Sequence, residues 1–80
     1  MSLMDVDQWR LTPHAMQRIA EMGLTIQQVM EALRHPDLSY PGSRNHSQGR
    51  TVYVRGPICV VTGNADHSVI TVLWHKKEGR

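Results

Sequence analysis

The stretch from Thr12 to Pro36 is punctuated so closely that it has room for only two short helices. Thr12 is a good N-cap, and Pro13 takes the first helical position, where its missing N–H costs nothing. Ala15, Met16, Ile19 and Met22 recur on one side at helical spacing, with His14, Gln17, Arg18 and Glu21 on the other. Gly23 supplies a left-handed terminus. Thr25 and Gln28 then form a capping box, and Leu24 with Val29 makes a hydrophobic staple. Ile26, Val29, Met30 and Leu33 oppose Gln27, Gln28, Glu31 and Arg34, until Pro36 stops the helix. Two amphipathic helices on so short a link predict a helical hairpin.

After Pro36 the pattern changes to strands. Residues 36–49 are polar and turn-rich, with Leu38-Ser39-Tyr40 as a short edge strand. Thr51–Arg55 alternates, placing Val52 and Val54 on one face and Thr51, Tyr53 and Arg55 on the other. Gly56-Pro57 is a turn, Ile58–Thr62 is a continuous run suited to a central strand, and residues 63–68 form the next turn. In the last strand, Val69–His75, alternation puts Ile70, Val72 and Trp74 together, against Val69, Thr71, Leu73 and His75. The expected fold is α+β: two N-terminal helices packed on a three- to four-stranded antiparallel sheet, one face covered and the other partly open. Residues 1–80 read as a single domain, with Met1-Ser2-Leu3 resembling a cloning scar and 76–80 a charged tail expected to fray.

A chain of 80 residues buries only about 60–65% of its unfolded surface, so its core is thin and a homodimer is one expected state. A single cysteine, Cys59, rules out an internal disulfide. Cys/His finger spacing is missing, so neither a metal site nor a cofactor is expected. The chain has no apolar run of membrane-spanning length and nothing like a signal peptide, which makes a cytoplasmic location the default. Charge is uneven. Residues 1–43 carry three basic and five acidic groups, whereas residues 44–80 carry six basic and two acidic ones. A basic half of this kind suits a polyanionic partner such as RNA.

The opening His14-Ala15-x-x-Arg18, the Gly23-Leu24-Thr25 entry to a second helix, the Tyr/Val strand and the closing Val69-Ile70-Thr71-Val72 resemble a family of small bacterial and phage domains of unknown function. The resemblance covers most of residues 10–75, and its fold is similar to the RelE/ParE-like toxins and the wider barnase–EndoU–colicin–RelE group. That resemblance implies a metal-independent ribonuclease with basic and aromatic residues on the open sheet face. For some relatives it implies a gyrase poison instead. The chain lacks the Lys/Arg-dense strands of many of the ribonucleases.

Metal-free RNA cleavage needs a base, a cation for the phosphorane and an acid. His14, in the first helical turn, is the candidate base, and Arg18 one turn on is a phosphate binder. His75, at the end of the last strand, is the candidate acid. Tyr53 and Arg55 would stack a base and hold a phosphate, with Arg50, Arg44 and His46 adding charge along the RNA. Each has a plain alternative. His14 and Arg18 suit a solvated helix face with Arg18 paired to Glu21 or Glu31, Tyr53 and Arg55 a cross-strand pair, and Asp66-His67 ordinary turn chemistry. Trp9 and Trp74 read as core or interface residues, and Cys59 as packed. The expected function is a RelE-like endoribonuclease acting on RNA. The alternative is a non-catalytic module that binds nucleic acid or protein, an antitoxin or a ParE-like target included. Catalysis requires His14 and His75 within about 10 Å of a common point. Inhibition by protein contact requires an exposed apolar patch.

Overall fold

The computed structural model describes residues 4–6, 8–42 and 49–75. Strands β1 (Met4–Val6) and β2 (Trp9–Leu11) precede helices α1 (Pro13–Glu21) and α2 (Ile26–Arg34). Strands β3 (Leu38–Pro41), β4 (Arg50–Arg55), β5 (Ile58–Gly63) and β6 (Ser68–Trp74) follow. The body of the sheet runs β2-β6-β5-β4-β3, and short β1 pairs antiparallel outside β2.

Both helix starts follow the residues that predict them. The Thr12 side chain accepts a hydrogen bond from the Ala15 N–H at 3.1 Å. The Thr25–Gln28 capping box closes in both directions, at 2.8 and 3.1 Å. Gly23 has a φ of 70°, the left-handed terminus that lets α1 stop and α2 start within four residues. α1 lies on β6 and α2 on β5 and β4, so each buries its apolar stripe directly against the sheet.

The sheet departs from the expected three to four antiparallel strands. It is wider, and mixed, because β2 runs parallel to β6 with Arg10 opposite Ser68 and Leu11 opposite Val69. Three residues are too few to show a period of two, which is why Trp9–Leu11 does not read as a strand. A second correction concerns β6. Val61 faces Thr71 and Thr62 faces Val69, so Ile70 is an extra residue, a β-bulge. Beyond the bulge the alternation is reset, and Val69 and Val72 are both buried in the core beneath the helices.

That core is Leu11, Ala15, Ile19, Val29, Met30, Ala32, Leu33, Ile58, Val60, Val69 and Val72, with Trp9 and Tyr53 packed at its margin. A separate cluster, Val52, Val54, Cys59 and Val61, lies on the opposite sheet face. The outer edge is β3. Gly42 donates to the Arg50 carbonyl at 3.2 Å, so by alternation Tyr40 also points its backbone toward β4, and Ser39 and Pro41 point theirs outward. Pro41 therefore loses no ladder bond. The charged tail and residues 1–3 lie outside the described residues.

Candidate functional site

The residues proposed from sequence for RNA cleavage are spread over both faces of the domain. β2 ends at Leu11, which leaves the outward carbonyls of β6 without a strand beside them. Side chains from α1 and its N-cap fill the gap. The Thr12 hydroxyl donates to Val69 O at 2.9 Å and lies 3.2 Å from Ile70 O, and Arg18 Nε donates to Val72 O at 3.1 Å. Arg18 also pairs with Glu21 at 3.1 Å. Hydrogen bonds from Gln17 and Arg18, with the charges of Arg18 and His14 nearby, hold the Glu21 carboxyl below its ordinary range. Arg18 is thus a sealing residue for the sheet edge, while His14 stands exposed in the first turn. Arg18→Ala should cost about 1 kcal/mol of stability, and His14→Ala should stay within about 0.5 kcal/mol of wild type in urea unfolding. Equal losses for the two variants would show that Arg18 carries no edge bond.

His75 is remote from this pair. It follows β6, donates its backbone N–H to Pro57 O at 2.7 Å, and lines a groove of about 360 Å³ with Asp37, Leu38, Val54, Gly56 and Pro57. It lies five residue steps beyond Ile70, or about 16 Å along a strand. Its groove is on the face opposite the helices, so His14 and His75 do not share a cleft.

Tyr53 and Arg55 do share a face, as alternation predicts, but it is the helix-covered one. Tyr53 is half-buried, edge-on to Trp9 at 6.1 Å, and Trp9 stacks on His67 at 3.8 Å. Arg55 donates to His35 O at 2.7 Å, at the C-terminal end of α2, where a cation complements the helix dipole. Arg50 has the opposite parity and stands on the other face. Arg44 and His46 lie outside the described residues. Asp66-His67 behaves as turn chemistry: His67 holds a φ of 55°, and Asp66 accepts from the Ser68 hydroxyl at 2.8 Å. With His67 stacked on Trp9, these neighbours form no relay.

The uncovered face is where the structure concentrates exposed apolar surface. Leu38 and Tyr40 of β3 lie opposite Val54 and Val52, which neighbour Cys59 and Val61, which in turn neighbour Leu73 and Thr71. Leu38 is 48% exposed, Tyr40 43% and Leu73 41%. Neither helix packs on this side. The Tyr40 hydroxyl and the Cys59 thiol, two strands apart on this face, lie close enough to influence each other. Burial pushes both the Tyr40 hydroxyl and the Cys59 thiol up from their ordinary values, disfavouring a reactive thiolate.

Charged groups border this face. The register Arg10–Ser68–Gly63–Arg50–Gly42 forms one row across the sheet. Because Trp9 and Leu11 point toward the helices, Arg10 points away from them. At the other end stand His75 and the Asp37 groove. Sequence reasoning missed Arg10 because its strand was missed. The signal for the apolar face was present in Leu38, Tyr40, Val52 and Val54, but nothing in the sequence indicated which face the helices would leave open. Among the described residues, no His, Cys, Asp and Glu group could hold a metal ion, and no helix is long and apolar enough to cross a membrane. No family model, no curated protein and no solved structure matches the chain.

Proposed function

We propose that this domain is a non-catalytic protein-binding module that docks its partner on the uncovered sheet face. The observation that carries this reading is the contiguous apolar centre of Leu38, Tyr40 and Leu73 over Val52, Val54 and Cys59, bordered by charge. An apolar centre inside a polar border is the anatomy of a protein interface. The placement of the polar residues supports the same reading. Arg18 and Arg55 are engaged in holding the fold, and His14 and His75 occupy different faces. Of the activities implied by the RelE/ParE-like resemblance, inhibition through protein contact suits this surface better than hydrolysis.

Two variants test it, Leu38→Asp and Leu73→Asp. Both side chains are well exposed, so each substitution should change stability by less than about 1 kcal/mol. Each should weaken retention of a bound protein by about thirtyfold or more, as loss of an interface anchor does. The measurement is quantitative capture from a cell extract by immobilised wild type and variants, beside an RNA incubation in EDTA. Identical capture by variants and wild type would refute the interface. RNA cleavage that disappears in His14→Ala would restore the ribonuclease reading.

A further inference from the structure

We infer that the occupant of this face is an acidic protein segment, with an apolar strip bordered by separated carboxylates, and that Arg10, Asp66 and Arg50 select it over nucleic acid. The inference rests on the protein-binding reading and specifies the partner's chemistry. Arg10 and Arg50 are exposed, and neither side chain has a hydrogen-bond or ion-pair partner among the described residues. They lie in one cross-strand row three strand spacings apart, about 14 Å. Arg50 leans outward. A Cβ on Gly42 would sit 3.9 Å from its Cδ, so the stem runs over Gly42 toward the β3 edge. The two cations therefore bracket one end of the apolar face.

Between them the surface changes sign. The exposed Asp66 carboxylate bonds the Ser68 hydroxyl and leans over Gly63, where an added Cβ would lie 3.2 Å from its Oδ1. From Arg10 to Arg50 the row reads cation, anion, cation, and Asp5 of β1 holds the register position beyond Arg10. A nucleic-acid backbone crossing from Arg10 to Arg50 carries charge continuously and must pass over Asp66, which repels it. A protein segment places carboxylates only where its side chains stand and can put one at each margin. The apolar centre adds nothing to phosphate binding and favours protein again.

Three probes separate these cases on the full chain, read by labelled-probe anisotropy and by amide shifts on β3–β6. They are an amphipathic peptide with a leucine face bordered by glutamates, its lysine-bordered twin, and a single-stranded oligouridylate. The glutamate peptide should bind best and shift sheet-face amides. Arg10→Glu with Arg50→Glu should weaken it about tenfold or more, as loss of complementary interface charge does. Asp66→Asn keeps the acceptor for Ser68, should leave that peptide within about twofold, and should tighten the oligouridylate about threefold. Equal binding of the lysine twin, tighter binding of the oligouridylate to wild type, or absence of sheet-face shifts with the glutamate peptide would each overturn the inference. If charge fails to matter but Leu38→Asp still abolishes both peptides, the protein-binding reading survives without it. If Leu38→Asp affects neither, that reading falls too.

Discussion

Thr12→Val should unfold the domain at a markedly lower temperature, with a loss of about 2–3 kcal/mol. The substitution keeps the shape and removes one hydroxyl. That hydroxyl accepts from the Ala15 N–H at the start of α1 and donates to the free edge of β6 at Val69 O, with Ile70 O beside it. Loss of an N-cap costs about 1 kcal/mol, and losing the hydroxyl's bonds at the β6 edge, where Val69 O keeps the Thr12 N–H and Ile70 O loses its neighbour, costs about as much again or more. In a domain this small each kcal/mol moves the midpoint by about 4–8 °C, so a drop of about 10–20 °C is expected. Thr12→Ser keeps the oxygen and should recover most of it. A thermal scan in which valine and serine melt together would show that the hydroxyl joins nothing.

The largest loss should come from Leu11→Ala, at about 3 kcal/mol. Leu11 is completely buried and is one of only two register pairs joining β2 to β6. Truncation leaves a cavity between that strand and the first turn of α1, where Ala15 is also fully buried. Hydrogen exchange should report it locally as well as globally. The Arg10 and Thr12 amides, bonded to His67 O and Val69 O, should lose protection before those of β5. Leu38→Ala is the control: the same truncation at a half-exposed site should cost less than about 1 kcal/mol. Equal losses at both positions would mean that β2 contributes no more than an edge strand does.

Elements whose ends are set by local chemistry are legible in this chain. Thr12-Pro13, Gly23, Thr25–Gln28 and Pro36 bound the helices because caps and breakers act within a turn or two. Leu38–Tyr40 and the run from Ile58 are legible for the same reason, since strand composition and turn residues are also local. What long-range packing decides is not legible. The parallel pairing of β2 depends on a strand more than fifty residues away. The bulge at Ile70 brings Val69 and Val72, which simple alternation puts on opposite faces, onto the same face. The candidate site divides along the same line. Tyr53 and Arg55 do share a face, but which face the helices would cover was set by docking, so Tyr53 came to lie beside Trp9 and Arg55 at the C-terminal end of α2. The spacing of His14 and Arg18 gave a turn of helix and no hint that Arg18 would bond a strand carbonyl.

Pro41 carries a consequence for how this surface distinguishes among partners. At the outward-pointing positions of β3 it removes an N–H, which leaves Ser39 as the donor of that strand's outer edge. An incoming extended chain needs a regular ladder of main-chain bonds, which any sequence can supply, and a single donor is too few to build one. The β3 edge is therefore a poor template for adding a further strand. Molecules approaching this side are sorted by side-chain volume and charge, so partner choice can be changed by single substitutions on the sheet face while the backbone scaffold stays the same.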